Sequence, residues 1–276
     1  MTDVIVDTII DCLKLLPFLF LTYLVMEYLE HKTGAKTQNM VKKAGKWGPL
    51  LGGLAGALPQ CGFSAAASNL YAGRVITLGT LFAIYLSTSD EMLPIFLSEQ
   101  VAPELILGVI AIKVVVGVIA GFVIDFLFRE KEEHEHIHDL CEQDHCHCEE
   151  GILRSALHHT LQITLFILLV TFALNLLIYF VGENVLADFL RDRTLLGPVL
   201  SGIIGLIPNC AASVVITQLY LENVISMGSM LAGLLVGSGV GLLILFRVNP
   251  DRKENLEILG ILYLIGVCIG IVVNLM

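Results

Sequence analysis

Two copies of a short motif, Pro-polar-Cys-x-x-Ser, supply side chains that could bind an ion. Each copy joins two apolar pieces of about a dozen residues, which as helices reach only about 18 Å and so span half of a membrane. Thiolates suit soft ions such as zinc, and amide and hydroxyl oxygens suit harder cations such as manganese(II). Two alternatives stay open: the cysteines line a path without binding the ion through sulfur, or the motif only allows a tight hairpin. The candidate path residues are Pro59, Gln60, Cys61, Ser64 and Asn69 in the first copy and Pro208, Asn209, Cys210, Ser213 and Gln218 in the second.

A polar run, residues 87–91, interrupts the apolar stretch from Val75 to Leu97. Carboxylates within an apolar stretch are costly in hydrocarbon and indicate a functional site by default. Alternatively, the run is the outer end of a shorter helix, with its carboxylates among the lipid headgroups. Lys113, a lone charge deep in the next long span, is either the counter-ion of Asp90 or faces a wet cavity alone. The candidate coupling residues are Ser87, Ser89, Asp90, Glu91 and Lys113.

The densest set of metal-binding side chains lies between the two motif copies, in residues 129–150. This segment holds nine acidic and two basic residues, so it carries −7 of the formal charge of −10 and leaves −3 for the other 254 residues. Such tracts bind divalent metals in several geometries, and no zinc-finger spacing is present. We predict metal association here; the alternative is a solvated acidic linker. The candidate ligands are His134, His136, His138, Cys141, His145, Cys146, His147 and Cys148.

The composition excludes most soluble classes. The 276 residues are 56% hydrophobic and 15% charged, with a mean hydropathy of +0.82, whereas a soluble domain has roughly 25% charged residues. A net charge of −10 disfavours a nucleic-acid partner. The N-terminus lacks the basic residues of a cleavable signal peptide, so we expect the first apolar segment to remain as an anchor. The chain is therefore predicted to be an all-α, multi-pass membrane protein whose partner is the lipid bilayer.

An internal duplication organises the chain. A shift of 149 residues aligns positions 48–83 with 197–232 without gaps, and 14 of these 36 positions are identical. The shift also pairs polar residues with near-equivalents, such as Gln60 with Asn209. We predict a first membrane repeat in residues 1–128, an acidic loop in 129–152 and a second membrane repeat in 153–276. Each repeat would contain two long spans, one re-entrant or fully crossing hairpin and one interrupted span.

The basic residues predict the orientation. Each repeat makes an odd number of crossings, so the two repeats are inverted relative to each other. With the N-terminus outside, nearly all lysines and arginines fall inside, as the positive-inside rule requires. We therefore predict that the protein lies in the inner or plasma membrane and that its His/Cys loop is in the cytoplasm.

With these motifs assembled, the whole chain resembles the ten-transmembrane heavy-metal exporters, ArsP-like permeases that are often labelled manganese transporters. The two Pro-Gln/Asn-Cys-x-x-Ser hairpins, the Leu-Ser-Thr-Ser-Asp-Glu break and the His-rich loop carry the resemblance. Four half-length helices and six other spans give about ten hydrophobic segments, as the family's name implies. The resemblance implies export of a heavy metal or metalloid, although the repeated thiols suit zinc, cadmium or arsenic(III) better than manganese.

Three functions follow from these patterns. The first is a secondary transporter that exports a divalent metal or metalloid by alternating access, since inverted repeats with broken helices are typical of transporters. No GxxxxGK[ST] motif occurs, so we expect an ion gradient to drive it, and no cofactor. The second is a permease for a small organic anion, with a regulatory His-rich loop. A membrane enzyme with Cys61 and Cys210 as a redox pair is disfavoured, because neither has a CxxC partner. A homodimer stays open.

Overall fold

The computed structural model of the chain describes residues 47–57, 61–89, 92–128 and 196–276, with isolated helical positions between 9 and 24 and between 157 and 173. Within these residues every regular element is a helix, which confirms the predicted all-α class. The candidate ligands of the His/Cys loop lie outside the described residues, as do Pro59, Gln60, Asp90 and Glu91. The side chains of Cys61 and Cys210 are also outside the description.

The described helices form two matching series. The first comprises α1 (Gly48–Gly56), α2 (Cys61–Ala72), α3 (Leu78–Ser87), α4 (Met92–Ser98) and α5 (Pro103–Phe128). The second comprises α6 (Leu196–Gly205), α7 (Cys210–Leu221), α8 (Met227–Val236), α9 (Gly241–Val248) and α10 (Arg252–Leu275). Shifting the first series by 149 residues reproduces the start of each helix in the second to within one residue. We call α1–α2 the first hairpin and α6–α7 the second, residues 88–91 the first break and residues 237–240 the second break.

Equivalent polar contacts begin α3 and α8. Thr77 accepts a hydrogen bond from the Thr80 amide at 3.1 Å, and Ser226 accepts one from the Ser229 amide at 3.2 Å. These side chains satisfy donors that an isolated helix end leaves without partners. The long helices add a second acceptor to each start, because the Gly79 amide donates to Asp125 at 2.7 Å and its equivalent, in α8, donates to Asn274 at 3.0 Å.

The two series exchange elements at their boundary. Helices α1, α3 and α5 pack together, as do α6, α8 and α10, while α2 packs against α9 and α7 packs against α4. One buried apolar cluster therefore combines Met92 and Phe96 of α4 with Ile216 of α7. The other combines Tyr71 of α2 with Leu245 of α9. Each hairpin thus buries its second helix against the short helix of the opposite series.

Apolar side chains cover the outer helices, as expected for a surface that contacts lipid. Leu107 and Ile119 on α5 and Leu264 on α10 are exposed. By length and composition, three described segments could cross a membrane: Pro103–Phe128, Met227–Val248 and Arg252–Leu275. The middle segment includes the second break and is 83% buried inside the protein, against 28% for each of the other two. The broken helix is therefore central, where its exposed main-chain groups can be satisfied by protein.

Candidate functional site

A small cavity separates the second hairpin from the second break. Its described lining consists of Asn209, Ala212 and Ser213 of the hairpin, together with the glycines Gly205, Gly233, Gly237 and Gly239. The cavity has a volume of about 10 Å³, which is close to what a single water molecule needs. The cavity therefore has room for one water-sized group.

Three helix ends surround this cavity. Asn209 is the N-cap of α7 and accepts a hydrogen bond from the Ala211 amide at 3.4 Å. Gly205 is the last residue of α6, and Gly233 lies in the last turn of α8. Helix C-termini present carbonyl oxygens and a partial negative charge, whereas a helix N-terminus presents N–H groups. The lining therefore combines an amide, a hydroxyl and main-chain groups of both polarities around one water-sized space.

Small residues in the second series account for the open space. At the equivalent positions of the first series the chain carries Phe63, Ile84, Thr88 and Asp90 in place of Ala212, Gly233, Gly237 and Gly239. Gly239 also has a positive φ of 55°, a conformation that side chains disfavour. The second break is therefore built from small residues, whereas the first has larger side chains at the same positions.

The first break is closed by its own hydroxyl groups. Ser87 Oγ donates to the Ala83 carbonyl oxygen at 2.7 Å, Thr88 Oγ1 donates to that of Ile84 at 2.7 Å, and Ser89 Oγ donates to that of Ser87 at 3.1 Å. These bonds give carbonyl oxygens in the last turn of α3 an additional, side-chain donor, since the Ile84 oxygen also accepts a bond from the Thr88 amide at 3.0 Å. The coupling candidates Ser87 and Ser89 are thus both buried and bonded to the main chain.

Lys113 links the first break to the second series. Its side chain is only 1% exposed. The ammonium group donates to the main-chain oxygens of Thr88 and Leu234, the latter at 2.8 Å. The predicted coupling candidate therefore lies at the boundary between the two series, beside the residues that precede Asp90.

The remaining path candidates occupy different surroundings. Ser64 and Asn69 of α2 are buried. Ser64 lies against the start of α9, where a Cβ on Gly241 would come within 2.8 Å of the Ser64 Cβ. Gln218 lies on the exposed face of α7, and Pro208 is half-buried beside Asn209. Of the described path candidates, Asn209 and Ser213 are therefore the two that line the cavity.

A polar cluster that sequence reasoning missed joins the two series at one end of the bundle. Arg74 donates to Glu254 through two bonds of 3.1 and 3.2 Å, Tyr71 donates to the same carboxylate at 2.5 Å and Asn249 donates to it at 2.8 Å. Burial lowers the pKa of Arg74, but the hydrogen bonds and charge of Glu254 outweigh burial and hold that pKa above its ordinary value. We call Tyr71, Arg74, Asn249 and Glu254 the ionic latch. The residues that the 149-residue shift pairs with Arg74 and Glu254 are Asn223 and Leu105, so unequal charge at paired positions was the available signal.

No metal cluster is preformed in the described part of the chain. Among those residues, no group of three or more His, Cys, Asp or Glu side chains could hold a metal ion. The side chains that line the described cavity are uncharged. The soft metal ligand closest to them in the sequence is Cys210, which directly follows Asn209.

Comparison with known proteins identifies the family. A family model described as "Putative, 10TM heavy-metal exporter" matches residues 1–180 and 152–276, which together include the whole chain. No curated protein and no solved structure matches the chain. The match confirms the resemblance predicted from the hairpins, the first break and the His-rich loop. The chain is thus a multi-pass membrane protein that belongs to the ten-transmembrane heavy-metal exporter family.

Proposed function

We propose that this chain is a secondary transporter that exports a divalent heavy metal, manganese or zinc-like, or a metalloid. The observation that carries the proposal is the cavity between the second hairpin and the second break. Its space suits one small ion, and its Asn209 and Ser213 side chains provide oxygen ligands. A multi-atom organic anion would enter this cavity only if the hairpin moved away from the second break.

The exchange of helices between the two series supports alternating access. Each hairpin contributes its second helix to the opposite series, so a hairpin cannot move without changing the boundary at which the two series meet. In transporters built from inverted repeats, rocking of one repeat against the other exposes a midplane site to each side in turn. We propose that the Pro-Gln/Asn-Cys hairpins are the elements around which this motion occurs.

We propose that Cys210 and Asn209 form the metal-selective end of the path, with Cys61 and Gln60 as their counterparts in the first hairpin. Thiol ligands would favour zinc, cadmium or arsenic(III), while the amide and hydroxyl oxygens would favour manganese. Asp90 and Glu91, which follow Thr88 closely in the sequence, are the candidate groups for coupling export to an ion gradient.

The orientation proposed for the protein puts the N-terminus outside and the His/Cys loop in the cytoplasm. The loop would capture metal ions close to the entrance before export. The ionic latch includes Arg74, which the positive-inside rule places on the cytoplasmic side. The latch would then close the cytoplasmic end of the path in the conformation described here.

Uptake into inside-out vesicles tests this function. Vesicles that contain the chain should accumulate at least one of manganese, zinc, cadmium or arsenite above the level of vesicles without it. Replacing Cys61 and Cys210 with serine should abolish this flux if the thiols are ligands, and deleting residues 132–150 should lower the metal tolerance of cells. Accumulation of organic anions without any metal flux would overturn the proposal and favour the organic-anion permease.

A further inference from the structure

The ammonium group of Lys113 lies where two equivalent helices end. Thr88 directly follows α3, and Leu234 lies in the last turn of α8. The main-chain oxygens of both residues accept a hydrogen bond from Lys113. Because α3 and α8 are related by the 149-residue shift, one positive charge caps the same end of both copies of a single helix.

The surroundings of the ammonium group favour a cation. The final carbonyl groups of a helix lack helical donors and carry the negative end of the helix dipole. Two such ends converge here within a buried region, so they form a site with main-chain oxygen ligands and little competition from bulk water. Oxygen ligands of this kind are those that potassium and ammonium ions share in proteins.

The equivalent position in the other series holds no charge. The shift pairs Lys113 with Leu262, which is fully buried in an apolar cluster with Ile258 and Tyr71. Only the first series therefore has a cation at this position, so the repeated fold as such does not require one. Leu262 also provides a matched position at which a side chain can be shortened without removing a charge.

We propose that the meeting point of α3 and α8 is a monovalent-cation site, and that Lys113 fills it with its own tethered ammonium group. A free cation of ammonium or potassium size binds at the same carbonyl groups when the tethered one is removed. The bound charge holds the ends of α3 and α8 together in the described conformation. Its consequence for transport rests on the proposed exporter function, whereas its consequence for stability does not.

Thermal unfolding of the purified full-length chain in detergent tests the site. Tm is measured for the wild type, Lys113→Ala and Leu262→Ala in chloride salts of potassium, ammonium, methylammonium, sodium and choline at constant ionic strength. Both variants lose packing and unfold below the wild type in choline. The Tm of Lys113→Ala rises by several degrees and saturates with at least one small cation, while those of the wild type and Leu262→Ala do not depend on the cation.

Two results would overturn the proposal. One is a Tm of Lys113→Ala that is the same in every salt as in choline chloride. The other is a Tm of Leu262→Ala that rises with the small cations as much as that of Lys113→Ala. Should Lys113→Ala yield no folded protein, Lys113→Met decides, because it keeps the length of the stem and removes the charge. The proposal expects its Tm to fall clearly more than that of Leu262→Met, and an unchanged Tm for Lys113→Met contradicts the site.

Metal flux separates this proposal from the exporter function. Cation-dependent Tm in a chain that moves no metal would leave the site intact and overturn the exporter function. Metal flux in the wild type together with a cation-independent Tm of Lys113→Ala would support the exporter function and overturn the cation site. If both proposals hold, ammonium or potassium also restores part of the metal flux of Lys113→Ala and none of that of Leu262→Ala.

Discussion

The two helix breaks occupy equivalent places in the repeated unit, yet they are built in opposite ways. At the first break, the Ser87, Thr88 and Ser89 hydroxyls bond to the preceding helix, and the Lys113 ammonium lies against Thr88. At the second break, Gly237 and Gly239 leave a cavity beside the hairpin. The same backbone interruption is therefore filled and charged in one series and open and neutral in the other.

This difference leads us to propose that the duplication divides one function between two sites. The repeated backbone supplies two interruptions in which main-chain groups are available inside a membrane. Side chains then decide what each interruption can hold. The second break has room for a water-sized group because glycines stand where the first has Thr88 and Asp90, and the first carries a fixed charge because a lysine reaches it. We infer that binding belongs to the second break and coupling to the first.

The ends of the bundle show a similar contrast between charged and neutral contacts. At one end the ionic latch joins α2 to α10 through Arg74 and Glu254. At the equivalent place in the other series, the rings of Phe96 and Tyr220 lie 6.4 Å apart and Leu105 replaces the carboxylate. One end is therefore closed by charge and hydrogen bonds and the other by apolar contact.

The largest effect is expected where the two series are alike. A Cβ on Gly79 would collide with the Gly121 carbonyl oxygen, and one on Gly228 would collide with that of Gly270. Gly79→Ala and Gly228→Ala should each destabilise the protein by about 4 kcal/mol or more, and neither should yield folded protein in size-exclusion chromatography. Gly108→Ala and Gly260→Ala are the controls, because no atom lies within 4 Å of an added Cβ at either site. Tolerance of only one of the two clashing variants would show that these contacts are not equivalent.

The next largest effect separates ligand binding from helix capping at Asn209. Asn209→Ala removes both the cap and the cavity amide, while Asn209→Ser keeps a capping hydroxyl. Both should lower metal flux in vesicles by about tenfold or more, equivalent to roughly 1.4 kcal/mol. Asn209→Ala alone should also lower the free energy of unfolding, by about 1 kcal/mol. Ser226→Ala, which removes the cap of α8, should lower stability without this loss of flux. Wild-type flux in Asn209→Ser would remove the amide from the path.

A moderate effect is expected at the ionic latch. Arg74→Gln and Glu254→Gln should each reduce the free energy of unfolding by about 1–2 kcal/mol, because each leaves a half-buried charge with fewer partners. The two changes should be non-additive by about 1 kcal/mol in a double-mutant cycle measured by chemical denaturation. Arg252→Gln removes an exposed cation from the same helix and should change stability by less than about 0.5 kcal/mol. Strict additivity of the Arg74 and Glu254 changes would argue against a latch.

The smallest effect is expected for an exchange between equivalent acceptors. Asp125 accepts hydrogen bonds from the Gly79 amide and from Thr77, and Asn274 accepts the equivalent amide bond with a neutral side chain. Asp125→Asn should therefore cost less than about 1 kcal/mol in thermal unfolding. Asp125→Ala leaves the amide without its acceptor and should cost more. Equal losses in the two variants would show that the charge of Asp125, and not its position, matters.

Much of the fold could be predicted from sequence because the repeat is written in residue types that constrain the backbone. The ungapped shift of 149 residues, the Pro-polar-Cys motifs and the polar run after Leu86 predict where helices stop and start, and the described helices begin and end at these places. Hydropathy and helix length also predict the membrane class directly. The helix starts at Thr77 and Ser226 follow from ordinary capping preferences.

The division of roles could not be predicted in the same way. The exchange of α2 and α7 between the two series depends on packing between segments more than 110 residues apart, which no local pattern encodes. The Lys113 contact with Leu234 and the latch between Arg74 and Glu254 likewise join residues that are 121 and 180 positions apart. The open cavity follows from the absence of side chains at Gly237 and Gly239, a signal that is visible in the aligned repeats but can be interpreted only once the hairpin is known to face these residues.

Metal flux through a cavity-filled variant tests the central claim most directly. Gly237 adopts an extended backbone, with φ −69° and ψ 94°, that threonine also adopts. A Cβ added there would lie 3.1 Å from the Gly233 carbonyl oxygen, so Gly237→Thr should fold after a small local shift while placing in the second break the residue that fills the first. Purified wild type, Gly237→Thr and Gly108→Ala are reconstituted into liposomes, and metal flux is measured per folded protein. The account predicts flux in the wild type and Gly108→Ala and a loss of about tenfold or more in Gly237→Thr. Equal flux in Gly237→Thr and the wild type would contradict it.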